Sequence, residues 1–323
     1  MSQPSLAPIV LFVYNRPKHA LETLKALKAN DLASQSKLYI FCDGPKSGET
    51  EERLQKINEV RAVIRQEQWC KEVIIIEQEK NLGLANSITQ GVTKTVNEYG
   101  TVIILEDDLV TSPHFLRFMN DALVTYANDG LVACISGYIY PVKETLPHTF
   151  FMKGAECWGW ATWKRAWHVY EEDGEKLLVA LEKQKLTRVF DFGNSVNFTQ
   201  MLRNQIAGKN NSWCIRWYAS AFLRNMVCLY PGISLVRNIG LDGSGTHCEA
   251  TDSAPGSISC DPLTIVHLES IEDKEARKKV VRYFQSINPH SRFKLFLLSL
   301  TPAKVLAVYR SCKKKLLPSA YGS

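Results

Sequence analysis

A chain of 323 residues with 45% hydrophobic and 22% charged residues has ordinary globular proportions, which excludes global disorder and allows one catalytic core with an elaborated C-terminal part. The formal charge of +6 is concentrated near the C-terminus, and nine cysteines, odd in number and without a CxxC pair, fit reduced thiols better than a disulfide framework or a zinc site. No apolar run approaches the ~20 residues of a spanning helix, and Met1–Ala7 lacks the basic and apolar regions of a secretory signal, so a cytosolic chain without a transmembrane anchor is expected.

Pro8 to Tyr14 (PIVLFVY) is a continuous apolar run rich in β-branched and aromatic residues, the pattern of a strand buried on both faces. Asn15-Arg16-Pro17 follows, and Leu21, Leu24 and Leu27 then recur at helical spacing behind a proline suited to a first helical turn. Lys37 to Cys42 (KLYIFC) is a second strand ending in Asp43-Gly44-Pro45, with a polar helix from about Thr50 to Gln66. Val73 to Glu77 (VIIIE) is a third, after which Asn81-Leu82-Gly83-Leu84 turns into a helix from about Ala85 to Asn97. Thr101 to Leu105 (TVIIL) is a fourth and carries Glu106-Asp107-Asp108 directly at its C-terminal end. This alternation predicts an α/β fold with a mostly parallel sheet covered on both faces. Ligands in such sheets bind beyond the carboxyl ends of the strands, so Arg16, Asp43 and the acidic triplet are expected on one edge. A helix from Ser112 to Ala127 and a strand around Leu131 to Ser136 follow, and then the rhythm is lost. Gly154 to Trp167 is rich in tryptophan, Glu171 to Leu202 reads as helical, and an irregular stretch from Tyr230 passes through Asp242-Gly243-Ser244-Gly245-Thr246-His247. No internal repeat or linker is evident.

Three carboxylates behind an apolar strand need a counterion. A divalent cation shared with a diphosphate supplies it, since Mg²⁺ or Mn²⁺ takes oxygen ligands from one or two carboxylates plus substrate phosphates. Read alone, the triplet fits equally well as surface acids leading into the next helix. The segment VIILEDDLVTSPHFLRFM, preceded by NLGLANSI, resembles the nucleotide-sugar domain of GT-A fold glycosyltransferases, in particular the bacterial family 2 type, and is similar to the Golgi N-acetylglucosaminyltransferase I. The first strand with Asn15-Arg16, the later ECWGWATWKRAW and the closing VCLYPGISLVRNIGLDGSGTHC extend the resemblance over about residues 8 to 250.

The resemblance implies a GT-A catalytic domain over residues 1–250, with a donor half to about 136 and an acceptor half to about 250, followed by a basic helical extension over 251–323. It implies Asp108 as metal ligand with His247 as a second, Glu106 and Asp107 toward the donor sugar or ribose, Arg16 on the nucleotide, Asp43 on uracil, and Asn86 within the donor-binding segment. Trp158, Gly159 and Trp160 form the family's Gly-Trp loop beside sugar and acceptor, and Trp163 and Trp167 are expected in the core. Each has a plainer reading: Arg16 as a solvated loop cation, Asp43 as a turn former, His247 as a structural histidine. The implied activity is transfer of a sugar, GlcNAc or GalNAc by the resemblance, from a UDP-sugar with Mn²⁺ or Mg²⁺ to a glycan or lipid-linked acceptor. Inversion needs a general base, yet NSWCIRWY, where the family carries its aspartate, has Cys214, Ile215 and Arg216. Asp191 and Glu156 are the remaining acidic candidates, Asp191 the preferred one although it also reads as a helix-capping residue, while Arg216 is expected on a diphosphate or an acidic acceptor. The basic, leucine-rich region from Arg292 to Leu317 suits an anionic membrane surface on its inner face as well as a helix packed on the core. No nucleic-acid partner is expected. Two other readings stand beside the transferase: a sugar-nucleotide pyrophosphorylase, which lacks here its glycine-rich loop, and a catalytically weak glycan-binding or scaffold protein.

Overall fold

A computed structural model describes residues 5–240 and 258–287. The chain runs β1 (Ile9–Val13), α1 (Pro17–Lys28), β2 (Lys37–Cys42), α2 (Glu51–Val63), β3 (Glu72–Glu77), α3 (Leu84–Tyr99), β4 (Thr101–Glu106), β5 (Leu109–Thr111) and α4 (Phe115–Thr125). It continues through β6 (Val132–Ser136), β7 (Thr149–Lys153), β8 (Trp160–Trp163), α5 (Lys164–Trp167), α6 (Gly174–Lys183), α7 (Thr187–Phe190), α8 (Phe198–Ile206), α9 (Trp213–Leu223), β9 (Val227–Pro231), β10 (Val236–Asn238) and α10 (Lys274–Ile287).

Eight strands form one mixed sheet in the order β3-β2-β1-β4-β8-β6-β9-β7, with β3, β2, β1 and β4 parallel throughout. β1 is buried along its whole length and β4 at its four central positions, which explains their unbroken apolar sequences. The chain first builds outward from β1 to β2 and β3, then returns to place β4 on the other side of β1. That reversal opens a crevice at the carboxyl ends of β1 and β4, the usual ligand position in an open α/β sheet. α1 begins at Pro17, buries Ala20, Thr23, Leu24 and Leu27, and leaves Arg16 at its N-cap facing the crevice rim.

The segment expected as an aromatic loop contains β8, which runs antiparallel between β4 and β6 and joins the two halves of the sheet. Trp160 is fully buried there, packed against Trp167, Trp213 and Trp217 with ring centroids 5.6–5.9 Å apart. α9 is buried around most of its circumference, so its sequence WCIRWYASAFL shows no clean amphipathic stripe. A separate two-stranded ribbon pairs β10 with β5, laying Asn238 opposite Leu109. α10 buries Ala276, Val280 and Phe284, and its leading Asp273 donates its backbone N–H to Phe151 of β7. All seven cysteines among the described residues are free thiols. No helix among the described residues is long and apolar enough to cross a membrane.

Candidate active site

The acidic triplet sits where the topology directs it, at the end of β4. Arg16 reaches across from the start of α1, pairing with Asp107 and lying 2.9 Å from Asp108 Oδ2. Thr23 Oγ1 donates to the Asp107 carbonyl at 2.9 Å and fixes the backbone of the triplet against α1. Asp107 is 5% exposed. Burial, reinforced by Asp108 and Asp107, pushes the Glu106 carboxyl up to about 8, with Arg16 opposing. Burial also pushes Asp107 up to about 6 even though Arg16 pulls it down. Burial alone would lower the Arg16 guanidinium, but the two aspartates more than reverse this and keep it charged. Asp107 and Asp108 together outweigh the single guanidinium that pairs with both, and a divalent cation fits the negative charge left over.

Among the described residues no group of three or more His, Cys, Asp or Glu side chains is placed to hold a metal ion by itself, so a cation here would need ligands from a substrate. β5 and β10 bring Gly240 against it: Ile239 N donates to the Asp108 carbonyl at 2.8 Å, and a Cβ on Gly240 would lie 2.2 Å from Asp108 Oδ2 and 2.8 Å from Arg16 Nη1. His247 lies outside the described residues.

Two cavities adjoin at this point, both lined by Arg16, Leu84, Glu106 and Asn211. The smaller, about 310 Å³, lies beyond β1 and β2 and is lined also by Tyr14, Asp43, Lys46, Ser87 and Asp107. The larger, about 590 Å³, extends toward α8, α9 and α10 past Asp108, Glu156 and Trp158. In the smaller cavity the Asp43 carboxylate accepts from Gly44 N, Leu82 N, Gly83 N and Asn81 Nδ2 at 2.8–3.0 Å, so it organises the loop that opens α3. Asn86 is exposed, donates to Leu82 O, and is not among the lining residues. Ser87 Oγ is buried with no hydrogen-bond partner among the described residues.

In the larger cavity Trp158 stands on the wall against Tyr138, ring centroids 4.6 Å apart. Gly159, at φ 59°, turns the chain behind it and accepts from Gly137 N at 2.7 Å. Trp160 departs from the expected donor-stacking role: β8 carries it into the tryptophan core, beside Trp163 and Trp167 as core residues. Glu156 is 8% exposed on the cavity wall, accepts from Tyr140 Oη at 3.0 Å and from its neighbour Cys157 N at 2.9 Å, and burial raises its carboxyl above the ordinary range. Asp191 is not among the lining residues; its carboxylate accepts from Thr199 N and Oγ1 at 2.7 and 2.9 Å and anchors the start of α8. Arg216 also turns from the cleft, donating to Glu172 O and lying over the Tyr170 ring. α9 presents Trp213, Cys214 and Ile215 to the cavity instead. Tyr14, Lys46, Ser87 and Asn211 escaped sequence reasoning because isolated polar residues in loops and helix starts carry no pattern of their own.

The model of glycosyl transferase family 2 matches residues 9–204, more than half of the chain. The chain belongs to glycosyl transferase family 2. Its mixed sheet is the GT-A fold, and the match runs from β1 to within α8, taking in the triplet, Glu156 and Trp158. Among solved structures this family 2 chain is similar to S. aureus TarS, at 17% identity over 44% of this chain and 24% of that one, with a TM-score of 0.27. It is also similar to the bifunctional glycosyltransferase WbbM, at 9% identity over 70% and 39%, TM-score 0.30. The glycosyltransferase GlyE of Streptococcus pneumoniae TIGR4 matches at 12% identity over 98% and 66%, TM-score 0.29. The chain spans about a quarter of the TarS chain and two-fifths of the WbbM chain. No curated protein matches it.

Proposed function

We propose that this glycosyltransferase moves a sugar, GlcNAc or GalNAc, from a UDP-sugar to a hydroxyl of a glycan or lipid-linked acceptor, with inversion and with Mn²⁺ or Mg²⁺. The observation that carries the reading is the pair of carboxylates Asp107 and Asp108 sharing one guanidinium, beside Glu106, where the two cavities adjoin. Asp108 holds the cation, which when bound neutralises charge on the departing nucleotide diphosphate. Arg16 orients Asp107 and Asp108 and offers its remaining N–H groups to phosphate oxygens. The nucleotide lies in the smaller cavity, where Lys46 supplies a cation and the unpaired Ser87 hydroxyl a hydrogen bond. Asp43 acts there by holding the 81–83 loop in shape. Trp158 presents an aromatic face to the transferred sugar in the larger cavity.

Glu156 is the general base. Its burial raises proton affinity toward neutrality, which strengthens a carboxylate as acceptor for the incoming hydroxyl proton, and Tyr140 fixes its orientation. Asp191 is reassigned to holding α8. The decisive experiment measures slow UDP release from UDP-sugars in Mn²⁺. Asp108→Ala is expected to abolish it, and release that survives the substitution removes the metal assignment.

A further inference from the structure

The wall of the larger cavity is built from rings in series. Trp158 contacts Tyr138 at 4.6 Å between centroids, Tyr138 contacts Tyr140 at 5.5 Å, Tyr140 contacts Phe284 at 4.7 Å, Phe284 contacts Phe192 at 5.5 Å, and Phe192 contacts Phe198 at 6.1 Å. All six rings line the cavity. The series therefore leads from the sugar end, at Trp158, to the α8 side, where Met201 lines the cavity while 39% exposed.

The outer part of this path has little to offer a bare sugar. Around Phe192, Phe198, Phe284 and Met201 the lining is mainly aromatic and thioether, with Tyr218 Oη donating to Phe190 O, Asn210 donating to Met201 O and accepting from Ser212 N, Ser212 Oγ capping α9, and Asn211 beside them. The rings themselves offer hydroxyls no partner, whereas hydrocarbon gains by leaving water against them. The chain also tolerates an unfavourable backbone to make this wall. Phe192, Gly193 and Asn194 have φ of 49°, 72° and 68°, and a bulky residue in the left-handed region persists where its surroundings require it. The Phe192 ring is thereby set between Phe284 and Phe198.

We infer that the acceptor is an amphiphile: its hydroxyl-bearing head meets Glu156, and a hydrocarbon chain attached to that head lies along Phe284, Phe192 and Phe198 and leaves past Met201. This rests on the glycosyltransferase reading above and narrows its acceptor class.

The test titrates the full chain with methyl, butyl, hexyl and octyl β-glucosides below micelle-forming concentrations, following saturation transfer to ligand protons and tryptophan fluorescence. UDP with Mn²⁺ is titrated separately on the same preparations. Affinity is expected to rise by up to about fourfold per added methylene until the path is filled. Met201→Glu and Phe198→Asp, one at the exposed mouth and one half-buried, are each expected to weaken octyl glucoside at least about tenfold by placing a charge beside the chain. The methyl glucoside and UDP affinities are expected to stay at wild-type values. Affinity indifferent to chain length, or an octyl affinity unchanged in both variants, overturns the proposal, and retained UDP binding then shows that the transferase reading survives it. Chain-length dependence present while UDP fails to bind supports the apolar path and removes UDP-sugar as the donor instead.

Discussion

Gly240 leaves Asp108 and Arg16 almost no spare room, since a single added carbon would sit 2.2 Å from the carboxylate and 2.8 Å from the guanidinium. Gly240→Ala is therefore expected to remove Mn²⁺-dependent UDP binding in calorimetry while leaving the far-UV circular dichroism of the fold intact; undiminished binding shows that the pair shifts freely. Glu156 yields a pH prediction. A base works only when ionised, and burial raises this carboxyl above the ordinary value of about 4.3. Activity thus falls as pH drops through a midpoint higher than that of an exposed glutamate. Glu156→Gln is expected to lower kcat by roughly 10²- to 10⁴-fold and to change the acid limb to the one set by Asp107 and Glu106 alone; an unchanged limb assigns the proton transfer elsewhere. The place of Asp108 behind β4 was legible in sequence because charge stands out after an apolar strand, whereas Asp191 was preferred over Glu156 because nothing in sequence tells a carboxylate that caps a helix from one on a cavity wall. Trp160 and Arg216 were not legible either, because the direction of a side chain depends on β8 and α9, and neither element carries a periodic pattern.

At the scale of elements, the β2 to α3 connection depends on one buried carboxylate. Asp43 receives four N–H donors from Gly44, Asn81, Leu82 and Gly83, three of them from the backbone. Asp43→Ala leaves these donors without an acceptor and is expected to cost about 2–4 kcal/mol in urea unfolding, with UDP affinity falling as the loop loses its shape. A loss near zero, with UDP affinity intact, indicates that water replaces the carboxylate. The four parallel strands were readable because each is a short apolar run bounded by turn residues, and their order of appearance specifies helices between them. β7, β8, α9 and the β5–β10 ribbon were not foreseen. TFFMK and WATW are too short and too mixed to separate from loops, α9 is buried nearly all round, and a three-residue ribbon exists only through its distant partner.

At the scale of the whole molecule, the N-terminal parallel strands and the strands that follow residue 131 share one sheet. β8 is the seam: Thr101↔Trp163, Val102↔Thr162, Ile103↔Ala161 and Ile104↔Trp160 tie it to β4, and Cys134↔Thr162 through Ser136↔Trp160 tie it to β6. The tryptophan cluster behind the seam draws Trp160 from β8, Trp167 from α5, and Trp213 and Trp217 from α9, and Trp167 Nε1 donates to Thr93 Oγ1 of α3 at 2.8 Å, which ties this cluster to the N-terminal strands and helices. Cooperative behaviour follows from that continuity even though chains of this length often unfold in steps. Val280 tests how far it extends, because α10 buries it completely at the far end from β3. Val280→Asp puts an unpaired charge into that contact and is expected to lower the melting temperature seen by a probe on α2 and by tryptophan fluorescence to the same degree. Two separated transitions, with the α2 probe unmoved, make the N-terminal side a unit that folds without its partner and return the seam to a mere point of contact.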